Sequence, residues 1–244
     1  MKLIIDGDIL AYACSSSVEK AIDWGGDMWT LHADLEEARQ KADVNIVDLV
    51  DTLGAKEYVL CFSHKENFRR DVYHAYKSNR SVRKPVCYPE LVAYLKENWP
   101  SECWPNLEGD DVMGILATSC KDCVIVSCDK DMLTIPGRHY NQTHPDVGIV
   151  EIDRRMADLQ VLVQTLTGDR TDGYPGCPGI GEKRAQAIAE QGWEAVVAAY
   201  EKAGLNEHEA IRQARCAYIL RKGDYVKSTG AVRLWTPDKA RQVA

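Results

Sequence analysis

The sequence predicts an α/β fold, a mostly parallel sheet flanked by helices, with a helical lobe at its C-terminal end. Three observations lead there. Short apolar runs at Lys2 to Ile5, Tyr58 to Phe62 and Cys123 to Ser127 have the length and β-branched content of buried strands. Helix-length segments separate them, so the strands should run parallel to one another. From Met156 onward the periodicity is helical, with Leu159, Leu162, Val163 and Leu166 on one face.

The elements follow in order. The first strand ends at Asp6, and a long helix is expected over Leu31 to Leu53, stopped by Gly54. After the strand at Tyr58 to Phe62 comes a basic segment, and Pro85 and Pro89 then punctuate the approach to a helix over Glu90 to Asn98. A short strand near Cys103, a helix over Asp110 to Ser119 and the strand at Cys123 to Ser127 complete an α/β unit over residues 1–153. The lobe, residues 154–244, holds a helix, a Gly/Pro-rich turn and further helices to about Arg221.

At 244 residues and 45% hydrophobic, the chain can bury a large core, which excludes disorder and a miniature disulfide scaffold. The apolar start of MKLIIDGDILAYACSSS is interrupted at Asp6 and Asp8, and nowhere do about 18 uncharged apolar residues follow one another. The expectation is a cytoplasmic protein with no signal peptide and no membrane association. Nine cysteines, several inside runs such as YVLCF, read as reduced core residues. Cys120 and Cys123 form a C-x-x-C without a second pair at zinc spacing.

A net charge of -7 argues against a nucleic-acid binder until its distribution is examined. Between His64 and Lys84 stand Lys65, Arg69, Arg70, Lys77, Arg80, Arg83 and Lys84 against only Glu66 and Asp71, a basic strip on an acidic chain. The acids concentrate elsewhere. In a parallel sheet, functional groups gather at the C-terminal ends of strands. Asp6 ends the first strand, Asp129 and Asp131 follow CVIVSC, and Glu108, Asp110 and Asp111 open a helix. Such a cluster suits magnesium or manganese, which prefer oxygen ligands, and two ions can stabilise both the attacking and the leaving oxygen of a phosphoryl displacement. Each piece alone has a bland reading, since acids at a helix start commonly cap it. Asp8 reads either as part of the cluster or as the cap of a helix beginning near Ile9.

GDRTDGYPGCPGIGEKRAQAIA, Gly168 to Ala189, is the most specific stretch. Gly179-Ile180-Gly181 makes a tight turn between helices whose backbone N–H groups can approach a phosphate, with Lys183 and Arg184 adding charge. Asp169 and Asp172, at i and i+3, would share one face of a helix end toward the acids.

IDGD, YKSNR, LEGDDVMG, SCDKD and GDRTDGYPGCPGIGEKRA resemble, in this order, the motifs of the 5′-nuclease family of flap endonucleases and the 5′-nuclease domain of bacterial DNA polymerase I. LEGDDVMG, CDKDMLTIP and GDRTDGYPG are still more similar to the 5′-to-3′ exonucleases of short-tailed bacteriophages. The resemblance implies a PIN-like core with a helical arch at about residues 64–86, a helix-hairpin-helix lobe, and a metal-dependent 5′-to-3′ exonuclease acting on duplex DNA. Flaps and RNA–DNA hybrids are further substrates it implies, replication proteins are candidate partners, and a structure-specific flap endonuclease is the alternative. It implies that Asp6, Glu108, Asp110, Asp111 and Asp129 surround a first metal, with Asp131, Asp169 and Asp172 nearer a second. Lys77 and Arg80 would steer the scissile phosphate, Tyr76 would stack on a terminal base, and Arg83 and Lys84 would add contacts to nucleic acid. The turn with Gly176, Gly179, Gly181, Lys183 and Arg184 would grip duplex and hold a potassium ion. One departure stands at Ser63-His64, where relatives usually carry an aspartate. A haloacid dehalogenase-type phosphatase also begins with a strand and D-x-D, as in Asp6-Gly7-Asp8, but leaves the basic strip and hairpin idle; a non-catalytic DNA-binding module leaves eight carboxylates unexplained.

Overall fold

The computed structural model describes residues 1–80 and 83–238. Strand β1 (Lys2–Asp6) runs straight into helix α1 (Gly7–Val18), because the Asp6 carboxylate accepts the Ile9 N–H at 2.9 Å and caps the helix. Asp6 is therefore the cap, and Asp8 is free for other partners. β2 (Glu19–Asp23) and β3 (Trp29–Ala33) form an antiparallel hairpin where the sequence suggested the start of a helix. Helix α2 (Leu35–Leu53) begins only after Asp34, whose carboxylate accepts the N–H groups of Glu36 and Glu37, and it ends on Gly54 as expected. There follow β4 (Glu57–Cys61), the one-turn helix α3 (Arg69–Val72), α4 (Tyr88–Asn98) with Pro89 in its first turn, and β5 (Ser101–Glu102). Next come α5 (Gly109–Ser119), β6 (Cys123–Val126), β7 (Gly137–Tyr140) and β8 (Ile149–Ile152). Helices α6 (Arg154–Thr167), α7 (Glu182–Ala189), α8 (Trp193–Lys202) and α9 (Glu207–Ala217) build the lobe, closed by the small hairpin β9 (Tyr225–Val226) and β10 (Ala231–Val232).

The main sheet has the order β5-β4-β1-β6-β7-β8, parallel throughout except for β8. Its central strands are apolar on both faces, as a sheet covered on both sides requires. Leu3, Ile5, Leu60, Val124 and Val126 join Leu10, Ala42, Ile46 and Leu91 of α1, α2 and α4 in one cluster. Ile4, Val59, Cys61 and Ile125 join Val112 and Met113 of α5 in the other. The chain leaves β1 for β4 on one side and returns to β6 on the other, so the crevice for a ligand opens beyond Asp6 and Val126. β7 and β8 escaped the sequence reading because GRHY and the largely exposed IVEI lack a buried apolar run.

The second cluster does not stop at residue 153. It runs through Val161, Leu162 and Leu166 of α6 to Trp193, Val196 and Tyr200 of α8, so the lobe shares the core of the sheet. The expected helical arch is a different object. Among the described residues of 64–86 the only helix is α3, and the rest is a strap of turns lying on the lobe. Lys77 at φ 54° donates its N–H to the Asp172 carbonyl at 2.7 Å, and the Asn79 amide donates to the Arg170 carbonyl at 2.7 Å. Residues 81 and 82 of this segment, like 239–244 of the lobe, lie outside the described residues. All nine cysteines are free thiols, and six of them are buried. Trp24, Met28 and Trp29 stand exposed on the β2–β3 hairpin. No helix among the described residues is long and apolar enough to cross a membrane.

Gly114 marks where α5 meets the chain after α9: a Cβ there would lie 2.4 Å from the Leu220 carbonyl oxygen and 2.9 Å from Ile219 Cγ2. Gly114→Ala should cost about 1–3 kcal/mol by overpacking. The check is a thermal midpoint several degrees below that of the parent; an unchanged midpoint would show the contact to be slack.

Candidate active site

Arg69, in α3 at the root of the strap, is 2% exposed, and each of its N–H groups has an acceptor. Its guanidinium donates to both oxygens of Asp111 at 2.7 and 2.8 Å, to Glu108 at 3.3 Å, and to the carbonyls of Cys216 and Tyr218 at 3.0 and 2.8 Å. Asp111 is fully buried and also accepts the N–H groups of Glu108 and Leu220. Both of its oxygens are taken, which removes Asp111 from the ligand set expected from the sequence and makes it the anchor of the strap.

The other acids divide into two overlapping groups at the sheet edge. Asp6, buried, accepts Ser127 Oγ at 3.0 Å in addition to its cap bond. Burial, aided by Asp8 and Asp129, pushes its carboxyl up to about 7 despite those bonds. Asp110 has no hydrogen bond or ion pair among the described residues, and burial with the nearby charges of Asp6 and Glu108 pushes it well above the carboxylate range. Asp129 caps the turn Lys130–Thr134 by accepting the Asp131 N–H. Asp131 accepts the Gln164 amide at 2.7 Å, and burial, then Asp129 and Asp169, raise it to about 7. Asp8, left open by the sequence, accepts the Ser63 N–H at 2.8 Å and the Tyr88 hydroxyl at 3.0 Å. Ser63 Oγ in turn accepts the Gly109 N–H at 2.9 Å, so the residues at the departure noted above hold the start of α5.

The strap supplies cations to the remaining acids. Lys77 Nζ bonds Glu108 and lies 3.4 Å from Asp172, while Arg80 reaches Asp172 at 2.6 Å. Glu108, despite its burial, is held down to about 2 by Lys77 and Arg69. Tyr76 is 3% exposed, and its hydroxyl lies between Glu108 and Asp172, at 2.9 and 2.6 Å, with its ring against Tyr174. It is thus a buried brace and not the base-stacking aromatic expected. Asp169 and Asp172 lie on a turn after α6, not on a helix end: Asp169 accepts the N–H groups of Thr171 and Asp172 and faces Lys130 at 3.4 Å. Among the described residues no three acids are drawn together as a ready metal cage.

Of the residues expected to touch nucleic acid, Arg83 is engaged bidentately by Glu19, and Lys84 lies 4.2 Å over the Tyr88 ring. Gly176 is buried, donates its N–H to Gln213, and lies against Gly168 where a Cβ would meet backbone at 2.3 Å. It is a packing glycine and not a phosphate cradle. Gly179, Gly181, Lys183 and Arg184 are exposed at the start of α7, with Arg184 bonded to the Gly179 carbonyl at 3.2 Å. A cleft of about 520 Å³ lined by Lys130, Asp169 and Lys183 connects this turn to the acids.

The profile of the 5′-3′ exonuclease N-terminal, resolvase-like domain matches residues 37–161. An exodeoxyribonuclease of Enterobacteria phage T3 is 32% identical over 96% of this chain and 92% of its own length. An exonuclease of Escherichia phage T7 is 31% identical over 96% of this chain and 93% of its own. The chain belongs to the 5′-3′ exonuclease family. This exonuclease also shares its fold with a bacteriophage T5 protein co-crystallised with metal ions, at a TM-score of 0.65 and 15% identity over 89% of each chain. The T5 flap endonuclease in complex with DNA and metal ions gives 0.61 at 14% identity, over 88% of this chain and 90% of that one.

The exonuclease thus concentrates carboxylates that its own fold disfavours as anions. A raised carboxyl binds more protons folded than unfolded between its ordinary value near 4 and its folded value, so its ionisation lowers stability as pH rises through that window. For Asp131, raised to about 7, the window runs from about 4 to about 7. In chelator, Asp131→Asn should therefore be more stable than the parent at about pH 8 and should lose that advantage as pH falls through 7 towards 4. Paired thermal melts across pH measure this, and a constant difference would contradict the assignment.

Proposed function

We propose that this 5′-3′ exonuclease hydrolyses DNA duplexes from the 5′ end with two divalent cations, magnesium or manganese, and leaves 5′-phosphates. The observation that carries this reading is the bridge of Lys77 and Arg80 across Glu108 and Asp172, which holds two phosphate-binding cations directly on the acid cluster. The donors fit such ions. All are hard carboxylate oxygens, and Asp6, Asp110 and Asp131 carry charge that burial and their neighbours oppose and that a divalent cation would neutralise. Asp6, Glu108, Asp110 and Asp129 would hold one ion, and Asp131, Asp169 and Asp172 would hold the other. Bound there, the ions would neutralise phosphate charge and make a water acidic enough to attack at neutral pH.

The protein's own groups do the rest. Lys77 and Arg80 exchange carboxylate partners for the oxygens of the incoming phosphate, where they stabilise charge that grows during cleavage. Lys183, Arg184 and the open Gly179–Gly181 turn grip the duplex backbone, and a potassium ion on that turn would add to the grip. The T3 relative's name, an exodeoxyribonuclease, supports DNA as the substrate. Flaps and RNA–DNA hybrids are further substrates in this reading, replication proteins its partners, and the host cytoplasm its place of work. A structure-specific flap endonuclease is the competing assignment within the family.

A single gel with 5′- and 3′-labelled duplex, flap and hybrid substrates tests substrate and polarity; 3′-phosphate products or full activity in chelator would overturn the scheme. Lys77→Ala should lower turnover at saturating substrate about a hundredfold while changing DNA affinity little. Asp131→Asn should bind duplex at least as well as the parent in metal-free buffer, yet fail to cleave when magnesium is restored. Small, equal losses of turnover and affinity for Lys77→Ala would reduce that residue to a structural partner of Glu108 and Asp172.

A further inference from the structure

Gln164 lies on α6 within the buried run Val161 to Leu166, and only 6% of it is exposed. Its side-chain amide donates to Asp131 Oδ1 at 2.7 Å. The amide oxygen, Oε1, is buried and has no hydrogen-bond partner among the described residues. Turning the amide over would set that oxygen against the Asp131 carboxylate, so the observed orientation is the one an anion selects. A buried acceptor without a donor is unfavourable, and a methionine of similar volume would avoid it. Packing alone therefore does not account for a glutamine at this position. α6 packs on the turn Lys130–Thr134, which carries Asp131, and it ends just before Asp169. One helix of the lobe thus brings two groups to the same side of the acid cluster, and Gln164 and Asp169 line the same cleft.

We propose that Gln164 is a positioning residue for the second divalent cation: its amide fixes the Asp131 carboxylate toward that ion, and its unpartnered oxygen accepts a hydrogen bond from the ion's water shell. This rests on the reading above in which Asp131, Asp169 and Asp172 hold an ion. Among the described residues the Asp131 carboxylate accepts no other hydrogen bond, so this one donor decides where its second oxygen points. The donor is also neutral. Lys77 and Arg80 neutralise the carboxylates they touch, whereas an amide orients Asp131 and leaves its charge for a cation. Oε1 belongs to the same amide and so lies beside the same carboxylate, where a hydrated ion would supply the donor it lacks. Partners of this kind, one step out from a metal, typically change its affinity about 10–100-fold.

Titration of the protein with Mn2+ in the absence of DNA, followed by electron paramagnetic resonance, tests the proposal beside cleavage of a 5′-labelled duplex. Gln164→Met removes the amide, and Gln164→Asn withdraws it from Asp131 by one methylene. In both, affinity for one ion should fall about tenfold or more while that for the other holds. The Mg2+ concentration giving half-maximal cleavage should rise by a similar factor, with kcat recovering at high Mg2+. In an Asp131→Asn background, Gln164→Met should weaken Mn2+ binding no further, because the amide acts only through that carboxylate. Unchanged Mn2+ binding in both single variants overturns the proposal. So does the same loss with and without Asp131, which would make Gln164 a general support of the fold. Asp131→Asn is the reference: if it loses an ion and Gln164→Met does not, only the positioning role fails, whereas an Asp131→Asn that keeps both ions removes the placement of the second ion itself.

Discussion

The pairing of Arg69 with Asp111 joins three distant parts of the chain at one dry point: the root of the strap, the first turn of α5 and the segment after α9. A buried ion pair is weak evidence of net stabilisation, because desolvating both charges offsets much of their attraction. Its value here is geometric. Removing either partner would strand the other, so the first turn of α5 has one position, and Glu108 and Asp110 inherit it. Glu108 also sits under the Arg69 guanidinium, so the group that anchors the strap biases the charge of the site as well.

The acids solve their mutual repulsion in two ways. Glu108 and Asp172 borrow Lys77 and Arg80 from the strap, and Lys77 with Arg69 holds Glu108 in its anionic form. Among the described residues Asp6, Asp110 and Asp131 have no such partner, and burial works against their ionisation. The site is therefore divided between carboxylates already neutralised by protein and carboxylates waiting for a cation. In the proposed reaction an arriving phosphate would compete for the strap's cations and so free Glu108 and Asp172 for an ion in turn.

Much of this was legible in the sequence, and the failures have physical causes. Strands β1, β4 and β6 are read within a residue because a sheet covered on both faces leaves an uninterrupted apolar signature. The positions of Asp6 and Asp129 follow from strand ends, and that of Glu108 from the start of α5. The mistakes are about direction. Asp110 and Asp111 are adjacent, yet one looks into the cluster and the other into the core; the apolar neighbours Val112, Met113 and Ile115 hinted at a buried side without saying where a cation would meet it. Arg69 was one positive charge among seven, because its partners stand 42 and about 150 positions away. Tyr76 and Gly176 were given outward roles that suit their residue types but not their burial. The hairpin of β2 and β3 was missed because its strands are exposed on both faces, so neither shows the alternation that marks a half-buried strand.

The apolar cluster that runs from Ile4 and Ile125 into Trp193 and Tyr200 gives sheet and lobe a common fate. Architecturally the chain changes character near residue 153, but thermodynamically no seam exists there. A fragment ending at β8 would expose the apolar surface of α5 and of the turn Lys130–Thr134 that the lobe covers, and an isolated lobe would lose the surface on which α6 lies. The two parts should melt in one cooperative transition, and the hairpin proposed to grip the duplex cannot be exchanged as a cassette without disturbing the shared core. Sequence change is thereby steered to segments such as the β2–β3 hairpin, whose exposed residues can vary without reopening the core.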